Sequence, residues 1–336
     1  MPHYTTKDLD AIARKIGDCE LVVSVSGGKD STAVALLLKE LGLPFRALHL
    51  QTGWETDTTD RFVSDVLPGS IGVDIDFAAA DIQLDEKREA IALRIEEQMG
   101  LSSGCTSPMV RLILHRGMFS TRKRRVCTQE LKVFPASRYY DTLDADPISV
   151  VGVRAAESAR RAKMTEWEDL HVRGHAPVVQ WRPIIDWSLA DVIAIHRRHG
   201  APLNAEYNSA TRVGCMPCIH ARKSDLRHLA ERYPERVETI RLLEEAVFHL
   251  AAERYAAKGE TFESLGYTPP AFFQAPVGRV GANWPIDDMI DWAQSAHNRP
   301  GQPALLHERA GGCLRWGYCE FEAQPSEELD NIGGAA

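Results

Sequence analysis

Aromatic residues are scarce in this 336-residue chain, at 7%, and no apolar run approaches the roughly 18 to 20 residues that a membrane span needs. No membrane association is expected. The opening MPHYTTKDLDAIARK lacks the apolar core of a secretory signal, so the expected location is cytoplasmic. Positive charge is also short: 39 Lys and Arg face 47 Asp and Glu, a formal net charge of -8. Such a chain is no general polyanion binder, and any nucleic-acid contact must come from a local basic patch. The seven cysteines are odd in number, which argues against a disulfide framework and for thiols or metal ligands. Two phosphate-binding spacings, GxxxxGK[ST] and GxGxxG, are missing as well. What is present is 44% hydrophobic residue, ample for a large α/β domain with a smaller region attached.

LVVSVS at 21–26 is a β-branched run that ends in Gly-Gly, and TAVALLLKELG follows as an apolar helix stopped by Gly42 and Pro44. FRALHL at 45–50, GVDIDF at 72–77 and PISVVGV at 147–153 read as further strands, with a helix over 84–100. Strands alternating with helices predict an α/β fold with a mostly parallel, doubly wound sheet. The character then becomes helical. SLADVIAIHRRHG opens on a Ser188-to-Asp191 capping pattern, Pro234 starts a long helix, and a short helix is expected over 286–297. The division predicted is 1–220 for a nucleotide-binding α/β domain and 221–336 for a mainly helical C-terminal region with a cysteine-bearing tail.

The turn SGGKDS, 26–31, carries the chemistry. A phosphate needs several N–H groups converging on it, and glycine lets the chain bend that tightly. A helix N-terminus behind the turn adds a favourable dipole. Ser26, Ser31 and Thr32 supply hydroxyls, and Asp30 offers a ligand for Mg2+ beside a triphosphate. The string resembles the PP-loop of the ATP pyrophosphatase and PAPS reductase superfamily, a HUP-like α/β fold. The resemblance implies ATP or an adenylyl sulfate as ligand and gives phosphate binding to Ser26, Gly27, Gly28, Asp30 and Ser31, with Lys29 adding charge.

HLQTGWET at 49–56 resembles the DTG segment of the same relatives; Gln51 stands where Asp is usual, so the nucleotide side is carried to Gly53 and no catalytic role to position 51. GVRAAES at 152–158 resembles their GxRxxES segment, which implies Gly152, Arg154 and Ser158 near the nucleotide. An arginine at a strand's C-terminal end also has the geometry and charge to hold an anion. WRPIIDWSLADV resembles a further family block. Asp30, Lys29 and Arg154 are the expected catalytic residues.

Cys215-Met216-Pro217-Cys218 is a CxxC, a spacing shared by zinc sites, redox disulfides and iron-sulfur clusters. RVCTQELKVFP at 125–135 resembles the cysteine segment of adenylyl-sulfate reductases, with Thr128 in place of the second cysteine. The resemblance implies Cys127, Cys215 and Cys218 as ligands of a [4Fe-4S] cluster. Cys319 is the expected fourth, with Cys313 as the alternative and zinc as the competing metal. Cys19 reads as a small buried hydrophobe. For Cys105 burial, a place beside the cluster and sulfur transfer all stay open.

Arg111, Arg116, Arg122, Lys123, Arg124 and Arg125 form a basic segment leading into Cys127, and Arg160, Arg161 and Lys163 extend the charge. It is either a solvated face or an anion site for nucleic acid or an adenylyl sulfate. The resemblance is strongest to DNA phosphorothioation sulfurtransferases and related phage proteins. It implies an adenylating sulfurtransferase with a cysteine desulfurase as partner. An APS or PAPS reductase releasing sulfite, and a non-catalytic nucleotide- and redox-sensing subunit, are the alternatives.

Overall fold

Six strands make one sheet in the computed structural model, which describes residues 6–102, 104–121, 123–210, 212–274 and 283–295. In chain order they are β1 (Glu20–Ser24), β2 (Arg46–Gln51), β3 (Ile75–Ala79), β4 (Pro147–Val150), β5 (Trp167–Leu170) and β6 (Val178–Trp181). Their spatial order is β3-β2-β1-β4-β6-β5, parallel throughout except where β5 runs antiparallel on β6. The predicted mostly parallel α/β sheet is therefore present, with two short strands that the sequence pattern does not announce. VVQW at 178–181 is too short to establish alternation, and WEDL at 167–170 is a half-exposed edge.

Helix Lys29–Glu40 lies on one face of the sheet, nine of its twelve residues buried. Its apolar side joins Val23, Ala47, Phe62, Leu67, Ile148, Trp181 and the helix Leu189–Arg198 in one core. Fully burying side chains such as Leu36 and Leu38 contributes about 1.5 to 3 kcal/mol each. The Ser188 capping box forms as expected, its hydroxyl accepting from Asp191 N at 3.2 Å. On the opposite face, Val22 and Leu48 pack against Ala136 and Tyr140 of helix Phe134–Tyr140.

A second core draws on both sides of residue 220. Trp54, Ile95, Leu114 and Leu131 share it with Leu229, Ile240, Val247 and Phe272, so the long helix Pro234–Ala256 packs on helices Glu86–Gln98 and Pro108–Arg116. That packing brings the segment after β2 against the CxxC. The helix expected over 286–297 is present as Ile286–Gln294. Cys313 and Cys319 lie outside the described residues.

Candidate active site

The sheet reverses its winding between β1 and β4, and open α/β sheets bind ligands at that point, outside the carboxyl ends of the strands. The turn after β1 sits there. Gly27 takes φ +70°, and a Cβ on it would meet Val63 and Thr59 side chains at 3.0 and 3.2 Å. Gly28 is the N-cap of helix Lys29–Glu40, and no side chain among the described residues caps that end. Ser31 and Thr32 hydroxyls donate to Gly28 O at 3.0 and 3.1 Å, and Ser26 N donates to Ser31 Oγ at 3.2 Å. The turn is thus tied to its own helix.

β4 supplies the other wall. A Cβ at Gly152 would fall 2.5 Å from Asp30 O and 2.7 Å from Ser31 N, so only glycine lets this strand end touch the turn. Two residues on, buried Arg154 donates Nε to Asp30 Oδ1 at 2.5 Å, while Lys29 Nζ donates to Asp30 Oδ2 at 2.8 Å. Burial alone would raise the Asp30 carboxyl, but the two cations outweigh it and hold it below the ordinary carboxylate range. Each Asp30 oxygen thus accepts from one cation, so Asp30 fixes both side chains in place. The cluster Lys29-Asp30-Arg154 carries a net positive charge at a helix N-terminus, an arrangement suited to phosphate.

Three residues that no motif announced complete the cradle. Tyr207 Oη accepts from Lys29 N at 3.2 Å, buried His196 Nε2 donates to Lys29 O at 2.8 Å, and Asn204 Nδ2 donates to Gly27 O at 3.4 Å. Burial pushes the His196 imidazole below its usual value. Ser158 is exposed, and its hydroxyl accepts from Arg161 N at 3.2 Å. Gly53 is held from Ser107, whose Oγ donates to Gly53 O at 2.8 Å, on the side of the cysteines.

Those cysteines gather beside the segment after β2. Thr52 Oγ1 lies 3.8 Å from Cys215 Sγ, Met216 N donates to Trp54 O at 2.9 Å, and Trp54 Nε1 donates to Pro217 O at 3.0 Å. Buried Glu55 ties the segment together, accepting from Thr52 N, Thr52 Oγ1 and Trp54 N at 3.2, 2.7 and 3.1 Å. Lys132, in a π-helical turn over Gln129–Val133, is pushed up by negative charge on Cys215 first, then on Glu55, Cys218 and Cys127. Burial pushes the Cys215 thiol up while Lys132 pulls it down. Cys127 N donates to Ser120 Oγ at 3.0 Å.

Among the described residues no three His, Cys, Asp or Glu side chains stand close enough to grip a single metal ion. One zinc at about 2.3 Å from each sulfur needs thiolates roughly 3.8 Å apart. A cluster with one iron per thiolate spreads its ligands over separate corners, and Cys127, Cys215 and Cys218 are each half-buried. Cys105 is exposed, and Cys19 is half-buried against the sheet core.

The basic segment divides in two. Arg111 is consumed by Glu89 at 2.7 Å and Glu96 at 3.1 Å, and Arg116 pairs with Glu130. Both therefore drop out of the expected anion patch. Lys123, Arg124 and Arg125 are exposed, while Arg122 lies outside the described residues.

The switch-point turn, the glycine-dependent contact with β4 and the Lys29-Asp30-Arg154 cluster define a nucleotide-binding α/β protein of the PP-loop class. The chain belongs to the phosphoadenosine phosphosulfate reductase domain family, whose profile matches residues 20–221. It is 34% identical over 258 residues to an uncharacterized 37.8 kDa protein in the gpa 5' region of Escherichia phage 186, covering 65% of this chain and 72% of that protein. A phosphoadenylyl-sulfate reductase from Candida auris, solved as a phosphate complex, is similar over 60% of this chain and 90% of its own, at 13% identity and TM-score 0.38. An NMN synthetase from Francisella tularensis is similar over 72% and 91%, at 14% identity and TM-score 0.35. No described helix is long and apolar enough to cross a membrane.

Proposed function

We propose that the protein is an adenylating PP-loop enzyme that couples ATP activation to sulfur transfer. The observation that carries this is the shared address of two sites. The phosphate cradle after β1 and the thiol pocket after β2 open at the same sheet edge. Thr56 Oγ1 donates to Glu206 Oε1 at 3.0 Å, Glu206 N donates to Asn204 Oδ1 at 2.9 Å, and Asn204 reaches Gly27 O.

In this reading ATP lies with its phosphates on Ser26, Gly27, Gly28, Ser31 and the helix N-terminus. Lys29 and Arg154, fixed by Asp30, stabilise charge as an acceptor oxygen attacks the α-phosphorus and the bond to the β-phosphate breaks, releasing pyrophosphate. The terminal sulfur of a protein persulfide, the product of a cysteine desulfurase, then displaces AMP from the acceptor, and a second thiol cleaves the resulting S–S bond, leaving the sulfur on the acceptor and a disulfide on the donor. Cys127, Cys215 and Cys218, with Cys319, would hold the [4Fe-4S] cluster, which supplies redox and sulfur chemistry when bound. Thr52, Glu55 and Trp54 hold the thiol wall in place.

Pyrophosphate release from ATP, lost in Asp30→Ala, is the expected result. Family membership favours one other reading, reduction of an adenylyl sulfate, and sulfite release from that substrate without pyrophosphate release from ATP would establish it instead. Anaerobically purified protein should be brown, with a broad visible absorption that Cys127→Ser diminishes; colourless protein would remove the cluster from the proposal.

A further inference from the structure

Aromatic side chains are few, yet three of them meet in one open cleft. The cleft encloses about 470 Å³ between the end of helix Pro234–Ala256 and the start of the segment after helix Pro108–Arg116. Tyr255 meets Phe262 edge-on at 5.1 Å and Tyr267 at 6.2 Å. Tyr267 is 57% exposed and Met118, on the facing wall, 36%. Large exposed apolar surface beside polar groups marks a ligand site, and this volume is in the range of small-molecule clefts.

Arg254 is the charged side chain that lines the cleft. Arg254 lies over the Tyr255 ring at 5.5 Å and has no carboxylate partner among the described residues. Met118 is followed five residues later by Lys123, a reach of at most about 18 Å. Lys123, Arg124 and Arg125 are exposed and likewise unpaired among the described residues, held in a turn where Arg124 N donates to Thr121 Oγ1 at 3.0 Å. Carboxylates pair with Arg111 and Arg116, so the unpaired positive charge of this segment is left to Lys123, Arg124 and Arg125. On a chain of net charge -8, such a local surplus selects a polyanion that also carries planar rings.

We infer that the cleft of Tyr255, Phe262, Tyr267 and Arg254 stacks a base of a single-stranded nucleic acid, whose phosphates run over Arg254 and the 123–125 turn. A strand so placed passes the turn that leads to Cys127, whose N–H is held by Ser120. The purpose of the strand, as acceptor of the sulfur, rests on the function proposed above; its binding does not.

Fluorescence anisotropy with a labelled short oligothymidylate, measured without ATP, tests the inference. Wild-type protein should bind the strand well above thymidine monophosphate and above a duplex of equal length. Tyr267→Ala should weaken binding about tenfold with an unchanged salt slope, and Tyr267→Phe should restore it. Arg254→Ala should instead flatten the dependence of log affinity on log salt by about 0.7. A strand bound no better than the mononucleotide, a preference for duplex, or a Tyr267→Ala protein that binds as wild type each overturns the inference. Pyrophosphate release from ATP, assayed separately, reports on the proposed function alone.

Discussion

Replacing Gly152 by alanine puts the nucleotide cradle to its most direct test. The new methyl would stand 2.5 Å from Asp30 O, 2.6 Å from Asp30 C and 2.7 Å from Ser31 N, all backbone atoms that no rotamer change can move away. Ordinary contact needs about 3.5 Å, so β4 and the turn must part by roughly 1 Å. Overpacking of this kind costs about 1 to 3 kcal/mol of stability. The same displacement pulls Arg154 off its 2.5 Å contact with Asp30, and a misplacement of about 1 Å in catalytic geometry lowers rates by about a hundredfold. Gly69→Ala is the control, because nothing lies within 4 Å of that position. The assay is pyrophosphate release from ATP, with thermal unfolding alongside. A Gly152→Ala protein with wild-type kcat/KM would refute the claim that the contact between β4 and the turn positions the cations.

Three further outcomes are expected. Tyr207→Phe removes the acceptor of Lys29 N and should cost about 1 kcal/mol in urea denaturation while raising the KM for ATP. Trp54→Ala empties a fully buried site that also donates to Pro217 O; a loss of about 3 to 5 kcal/mol is expected, and an unchanged melting temperature would contradict the packing described. Glu244 accepts from Phe272 N and Ile286 N at 2.9 and 3.2 Å, and burial pushes its carboxyl up to about 7 from an ordinary 4.5. A raised folded value penalises the charged form, so this stability is fully present below about 4.5 and lost as pH rises through about 7. The shift corresponds to about 3 kcal/mol, roughly half of it after screening by water. Denaturation midpoints of Glu244→Gln should lack that decline between pH 4.5 and 7.

The strands and helices around the cradle were legible because their signals are local. LVVSV reads as a strand, the glycines as a turn and TAVALLLKELG as a buried helix with no knowledge of the rest of the chain. The Ser188 cap and the Pro234 start are equally local. β5 and β6 escaped because WEDL and VVQW lack the longer apolar run that marks β4 in PISVVGV. Lys132 stands in the RVCTQELKVFP segment, which was read for its cysteine alone. Tyr207, His196 and Asn204 carry no local signature at all, since each acts on a turn more than 160 residues away.

Charge followed the same division. A run of basic residues is visible in the sequence, but whether each is free depends on which carboxylates fold against it. Arg111 is spent on Glu89 and Glu96 only because helices Glu86–Gln98 and Pro108–Arg116 pack side by side. By itself the sequence determined the glycine turn between strand and helix, the α/β class and the family, because motif and periodicity are properties of neighbouring residues. Only the tertiary structure decided that Gly152 must be glycine, that both Asp30 oxygens face cations, and that Arg254 shares an open cleft with Tyr267 and Met118. Each of those depends on the distance between segments far apart in the chain, which the close packing of the two cores sets.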